Sequence, residues 1–364
     1  MRYDLSLLSV LLVEDSMFMR NILRGVMQAL GVGKLHVAND GEDAIDLLRQ
    51  LANDAAQTGF GGVDMIIVDL FMPKVDGLMM LRWLRRHDES PNRFMPVIMI
   101  SGMTDKDSLE LSRDAGVTEF VSKPFSVEGL AMRMVQTINN PRQFVYTPNY
   151  FGPDRRRRKS EVEDERRVIG ESDCEIVYSG KAPGEFRKDK PSVWLFRLQN
   201  RLKEKLASGG SFEDGDAEID ADLLELAREQ IANMEEDYSD WVDESIVTLI
   251  SAHRRAADNP ADCAEELDKI NRIAHELRGQ GGMFGYPLMT DFGRSLYDVT
   301  QPGTPPSDQL IELIKAHVDG IRAVMAERIK GDGGAIGQEL MKSLEMAKQK
   351  YGKPQDARLS RASP

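Results

Sequence analysis

Five times in the first 140 residues a short apolar run is followed by an amphipathic stretch, and that alternation limits the fold more than any other feature of the chain. The runs are "SVLLV" (9–13), "KLHVA" (34–38), "MIIVDL" (65–70), "PVIMIS" (96–101) and "EFVSK" (119–123). Helical periodicity fills 17–30, 41–53, 76–87, 105–115 and 126–139. Strands alternating with helices predict an α/β, doubly wound, five-stranded parallel sheet covered on both faces. Near-continuous apolar strands are what burial on both sides requires. In such sheets ligands bind outside the carboxyl ends of the strands.

The pattern changes after Pro141. Residues 141–214 are rich in charge, Pro and Gly, so a largely disordered linker is expected there, with a short helix at 193–206. Its basic run, Arg155 to Lys159, reads as a solvated tether. From 216 to 350 the periodicity is helical throughout, at 219–237, 240–256, 261–284, 288–299, 307–329 and 335–350. Breakers fit the gaps, which predicts a separate all-α helical bundle. Residues 351–364 read as a tail. The expected plan is therefore 1–140, linker, and 216–350.

A net charge of −13 argues against a general nucleic-acid binder and against insertion at an acidic membrane surface. The two cysteines, Cys174 and Cys263, match no metal spacing and fit a reducing compartment. No run approaches the roughly 18 apolar residues of a membrane span, and the N-terminus lacks the pattern of a signal peptide. A cytoplasmic protein is the expectation.

Polar residues cluster where the strands end. Glu14 and Asp15 follow the first strand, Asp69 ends the third, Ser101 the fourth and Lys123 the fifth. A parallel sheet brings these ends to one edge. Three carboxylates repel unless a cation neutralises them, and hard oxygen ligands with an open position suit Mg²⁺. Asp69 then has the chemistry of a nucleophile for a phosphoryl group, with Ser101, Lys123 and the metal stabilising the phosphoryl oxygens.

"VEDS" (13–16), "VDLFMPKVDG" (68–77), "ISGM" (100–103) and "VSKPF" (121–125) resemble the response-regulator receiver domain, block by block and in order. The resemblance implies a flavodoxin-like fold with Asp69 as phosphoacceptor. It implies Mg²⁺ held by Glu14, Asp15, Asp69 and the backbone carbonyl of Phe71. Ser101 and Phe120 take the switch positions and Lys123 that of the invariant lysine, with a cis bond to Pro124.

The second candidate is "RIAHELRGQGGMFG" (272–285). Cys263, Leu267, Ile270, Ala274, Leu277 and Phe284 form one apolar stripe. His275 is displaced from it by about 100°, at its edge or in solvent. Arg272 and Arg278 lie at helical spacing from it, and both charges oppose that of a phosphoryl group. Gly279, Gly281, Gly282 and Gly285 cost helix stability, and close approach by a partner surface is one reason to keep them. The other histidines, His36, His87, His253 and His317, read as ordinary surface groups. The segment resembles the histidine-phosphotransfer (HPt) domain. That implies His275 as phosphohistidine, Arg278 as the basic residue three positions on, and Gln280 supporting the histidine.

"HELR" also opens the phosphoacceptor box of sensor histidine kinases. Here it continues "GQGG", and the stretch after His275 is too short for a second dimer helix plus an ATP-binding domain. The expected function is phosphorelay signalling: a self-phosphorylating receiver and an HPt domain that exchange phosphoryl groups between Asp69 and His275. An upstream sensor histidine kinase would supply them, and other receivers would dock at His275. The rival is an interaction module that the receiver controls, with a silent His275. No helix-turn-helix signature supports a transcription factor.

Overall fold

The computed structural model describes residues 3–58, 62–102, 106–155, 175–177, 193–207 and 218–351. Cys174, residues 156–159 of the basic run and the tail beyond Tyr351 lie outside the described residues. The chain divides into two compact units, Met1–Ile231 and Ala232–Pro364.

In the first unit β1 (Ser9–Val13), β2 (Lys34–Ala38), β3 (Met65–Asp69), β4 (Val97–Ser101) and β5 (Glu119–Ser122) form a parallel sheet in the order β2-β1-β3-β4-β5. Every residue of β1, β3 and β4 is buried. These are the runs with no polar alternation, and two buried faces explain them. The crossovers are α1 (Met17–Ala29), α2 (Gly41–Thr58), α3 (Gly77–Arg86), α4 (Lys106–Ala115) and α5 (Val127–Asn139). Leu11, Val13, Ile66, Val68, Val97 and Met99 pack with Leu48, Leu81 and Leu84 on one face. On the other, α1 and α5 bury Ile22, Val26, Leu130 and Met134. Caps set three helix starts: Ser16 accepts from the Met19 N–H, Asp76 from Met79 and Ser126 from Gly129. Gly77 is required by packing, because a Cβ there would lie 2.1 Å from the Asp69 carbonyl oxygen. The first turn of α3 therefore sits directly on the end of β3.

The linker expected at 141–214 does not describe the segments visible within it. β6 (Phe144–Thr147), β7 (Tyr150–Pro153), β8 (Glu175–Val177) and β9 (Trp194–Phe196) make a second sheet, in the order β7-β6-β9-β8. The predicted helix at 193–206 is instead β9 followed by α6 (Arg201–Leu206). Phe144, Phe151 and Phe196 form the small core, and Phe94 from the loop before β4 completes it, with ring centroids 5.1–5.3 Å from each. Strands of three or four residues are too short to display a period, and their core borrows a side chain from far earlier in the chain. α6 is fastened by a hydrogen bond from the Asn200 side chain to the Ile138 carbonyl (2.6 Å) and by the Lys205–Asp64 ion pair (2.6 Å).

α7 spans Ala221–Asn233, so the division between units falls inside it. The second unit holds α8 (Glu235–Asp258), α9 (Ala264–Gln280), α10 (Pro287–Val299), α11 (Asp308–Ala326) and α12 (Gly334–Tyr351). Its core includes Tyr238, Leu249, Ile270, Leu277, Phe292, Leu296, Ile314 and Ile321. Tyr238 stacks on Phe284 at 4.4 Å between centroids. His317 corrects the reading of it as a surface group. It is fully buried, with Nδ1 2.7 Å from the Leu313 carbonyl and Nε2 2.9 Å from Ser295 Oγ.

Candidate functional site

The register places the predicted polar residues together. Val13 pairs with Val68, Asp69 with Ile100 and Ser101 with Ser122, so Glu14, Asp69, Ser101 and Lys123 arrive at one edge. A hydrogen bond from the Lys123 N–H to the Ser101 carbonyl (2.7 Å) holds the end of β5 to that of β4. The Lys123–Pro124 bond is cis.

Lys123 Nζ donates to Asp69 Oδ2 at 2.7 Å and to Glu14 Oε2 at 2.9 Å, and all three groups are buried. Asp15 is exposed at the rim. Oxygens of Glu14, Asp15 and Asp69 lie within 4.8 Å of one another. One ammonium does not balance three carboxylates at this spacing. Burial, then the Asp69 charge, pushes the Glu14 carboxyl up to about 8 against the pull of Lys123. Burial and Asp69 also raise Asp15. Burial works against the Lys123 ammonium, yet the Asp69 and Glu14 carboxylates outweigh it and raise its pKa. An all-oxygen donor set short of positive charge has the chemistry of a hard divalent cation site. The Phe71 N–H reaches Asp69 Oδ1 at 3.4 Å, which turns the chain over the carboxylate beside the site. Phe120, paired with Met99, is half-buried against the core cluster, and Ser101 is buried.

Two residues here escaped the sequence reading. Lys74 follows Asp69 in a left-handed conformation (φ 62°), and its ammonium reaches Asp40 Oδ2 at 3.0 Å. Asp40 also caps α2 by accepting from the Glu42 and Asp43 N–H groups. Hydrogen bonding to Asp43, together with Lys74, holds the Asp40 carboxyl below its usual range despite burial. A lysine at positive φ is uncommon, and this bond ties the loop after Asp69 to the start of α2. Arg85 is the second. It is fully buried on α3 with no ion pair among the described residues, and it donates to the carbonyls of Gly116 (3.0 Å), Arg93 (2.8 Å) and Met95 (2.8 Å). Burial pushes its guanidinium down to about 9. Its side chain lies over the Phe144 ring at 5.2 Å, joining α3 to the second sheet.

On α9, His275 is half-buried at the edge of the apolar stripe, as its position predicts. Arg278 is not a surface charge but a buried one. Its Nη2 is 3.2 Å from His275 Nδ1 and its guanidinium carbon 4.3 Å from the Tyr297 ring centre on α10. Tyr297 lies 5.5 Å from the His275 ring. Asn271 fixes that end of α10 by donating to the Tyr297 carbonyl and to Thr300 Oγ1, both at 3.1 Å. Gly293 lets α10 approach the backbone of α9 closely, since a Cβ there would lie 2.6 Å from the Arg278 backbone nitrogen. Nothing in the sequence marked Gly293 or Tyr297.

Two of the glycines after His275, Gly281 and Gly285, have a local role within the chain itself. A Cβ on Gly281 would meet Met289 Cβ and the Tyr286 carbonyl oxygen at 2.8 Å, and Gly285 has φ +80°. Both serve the turn from α9 into α10. Gln280 is buried and its Oε1 accepts no hydrogen bond from the described residues. The group beside His275 Nδ1 is Arg278.

The sequence matches the response regulator receiver domain over residues 10–135 and the Hpt domain over residues 218–324. The polar-differentiation response regulator DivK of Brucella anthropi is 31% identical over 132 residues, which cover 36% of this chain and 94% of that protein. DivK of Brucella ovis is 30% identical with the same coverage. Among solved structures, the chemotaxis protein CheY4 of Vibrio cholerae is 26% identical, covering 35% of this chain and 96% of that one, with a TM-score of 0.29. The CheX–CheY–BeF3–Mg complex of Borrelia burgdorferi gives 25% identity, coverages of 36% and 88%, and a TM-score of 0.30. Among the described residues no helix is long and apolar enough to cross a membrane.

Proposed function

Because the chain belongs to the response-regulator receiver family over residues 10–135 and carries an Hpt domain over 218–324, we propose that phosphoryl groups enter and leave it at two side chains, Asp69 and His275. Together the two domains make it a phosphorelay protein of a two-component pathway. The residue-level reading rests on one observation: Glu14, Asp15, Asp69, Ser101 and Lys123 converge at one sheet edge, in a chain that also carries a half-buried histidine beside a buried arginine.

At the first site the Asp69 carboxylate attacks the phosphorus, and the bond to the donor's leaving group breaks. The Lys123 ammonium, 2.7 Å from Asp69, turns from carboxylate oxygen to phosphoryl oxygen as charge builds there. Ser101 then meets the phosphoryl group, and Phe120 on the adjoining strand carries the change to the surface. Glu14, Asp15, Asp69 and the Phe71 carbonyl are the groups that would hold Mg²⁺. Burial and the charge of Asp69 raise the Glu14 and Asp15 carboxyls, and a cation held among them would offset both effects. When bound, the ion spreads the negative charge of the phosphoryl oxygens.

At the second site an imidazole nitrogen of His275 takes the phosphoryl group. A sensor histidine kinase upstream supplies phosphate to Asp69, and receivers of other proteins dock at His275. The protein works in the cytoplasm, with 1–140 and 216–350 as its functional domains, and uses neither nucleic acid nor membrane insertion.

Treating the whole protein with Mg²⁺ and phosphoramidate tests the assignment. Two labels are expected, one base-labile and lost in Asp69→Ala, the other acid-labile and lost in His275→Gln. A label that survives its substitution places the site elsewhere.

A further inference from the structure

The hydrogen bond between Arg278 and His275 has a direction that chemistry fixes. A guanidinium has N–H donors and no acceptor, so Arg278 Nη2 donates and His275 Nδ1 accepts, at 3.2 Å. An accepting Nδ1 is bare, and a neutral ring then carries its proton on Nε2. We propose that Arg278 is a gate on His275: while engaged it keeps Nδ1 unprotonated, and it must leave that nitrogen before Nε2 gains or loses a phosphoryl group. The inference rests on His275 being the phosphoryl carrier and goes beyond it.

To be loaded, the ring needs the Nε2 lone pair, so its proton must sit on Nδ1. Nε2 then attacks phosphorus, the bond to the donor aspartate breaks with its electron pair going to the carboxylate, and Nδ1 gives up its proton to solvent before Arg278 engages it again. To be unloaded, the Nε2–P bond breaks with its pair returning to Nε2. That ring leaves as neutral imidazole only if Nδ1 has first been protonated. A donor already on Nδ1 opposes both events. Water therefore finds a poor leaving group, and the phosphoryl group is stored. A docking receiver presents phosphoryl and carboxylate oxygens, which compete for the guanidinium as a charge-assisted partner that a ring nitrogen cannot match. Drawing Arg278 across frees Nδ1 at the moment of transfer.

Packing supports a gate of this kind. Arg278 is 4% exposed and lies 4.3 Å from the Tyr297 ring centre, so its cation is largely desolvated and responsive to an incoming anion. Gly293 and the Asn271 hydrogen bonds fix Tyr297 there, which makes Tyr297 a positioning residue. Other ionisable groups surround the pair. Arg272 lies at helical spacing on α9, and Asp298 on α10 is within electrostatic range of Arg278, Arg294 and Lys348 of α12. On α8 the Arg255–Glu266 pair (2.8 Å) meets α9 more than two turns before His275.

Imidazole ¹⁵N spectra of the whole unphosphorylated protein test the bond without any substitution. A bare Nδ1 and a protonated Nε2 are expected, and a protonated Nδ1 overturns the proposal. The second arm loads His275 with phosphoramidate in an Asp69→Ala background and follows loss of the base-stable label against pH. Arg278→Gln should lose it about tenfold faster near neutral pH, the worth of one charged hydrogen bond. The rates should converge in alkali, where Nδ1 is unprotonated in either protein. Tyr297→Leu should change the profile in the same direction and Tyr297→Phe should restore it. A label with an unchanged profile overturns this inference alone. Absence of label on His275 removes the assignment of that histidine and the gate with it.

Discussion

Single residues in this chain matter most where a charge is buried or a side chain is missing. His317 is the clearest case. Its Nδ1 donates to the Leu313 carbonyl, so a neutral ring accepts from Ser295 through Nε2. Burial lowers its pKa from 6.5 to about 4. The unfolded chain therefore binds more protons between those values. Stability is complete above pH 6.5 and is lost as pH falls through the window to about 4, by on the order of 3 kcal/mol. Urea unfolding of the second unit's signal against pH should show this slope, and His317→Gln should flatten it. An unchanged slope in the variant would assign the acid sensitivity to other groups. The sequence concealed this histidine because a lone polar residue on an apolar helix carries no mark of burial. Asp69, Lys123 and His275 were legible for the opposite reason. Each stands where a strand end or the edge of an apolar stripe fixes its position. Arg278 was visible as a charge near the histidine but not as a buried one, because Gly293 and Tyr297 on another helix create that environment.

Among the elements, legibility followed length and burial. β1, β3 and β4 are buried on both faces and read as unbroken apolar runs. The second sheet was invisible because its order comes from tertiary packing. Phe94 and Arg85 belong to the first 140 residues, and both contribute to it. Arg85 bears a testable load. Its guanidinium donates to three carbonyls, in buried bonds to Gly116 and Met95 and a partly buried one to Arg93. Arg85→Met keeps the volume and the contact with Phe144 but orphans those oxygens. Lost carbonyl hydrogen bonds of this kind cost about 1–3 kcal/mol each in a buried site. Thermal unfolding of the first unit should shift down, and amide exchange in β6 and β7 should rise ahead of that in β1. Uniform loss across both sheets would mean that Arg85 supports the receiver core and not the seam.

For the whole molecule, the question is whether Asp69 feeds His275 of the same chain. A coil over residues 141–214 would span about 45–50 Å and hold the two groups at high mutual concentration. That estimate loses its basis once β6, β7, β9 and α6 are seen to occupy 144–153 and 194–206 within the first unit. Kinetics can replace it. Transfer within one chain is first order, so the half-time for labelling His275 stays constant when the protein is diluted about a hundredfold, whereas transfer between chains slows in proportion. A kinase specific for the receiver supplies the label, and Asp69→Ala should then abolish labelling of His275 at every concentration. If His275 is still labelled in that variant, the kinase reaches it by a route that bypasses Asp69, and the two domains serve separate partners. If labelling is lost but the half-time lengthens with dilution, Asp69 feeds the histidine of a second molecule. Only a concentration-independent half-time together with the Asp69 requirement makes the chain a relay in itself. In that case the Arg278 gate governs when the relay discharges, and Arg278→Gln should shorten the life of the phosphorylated histidine without changing the order of its loading.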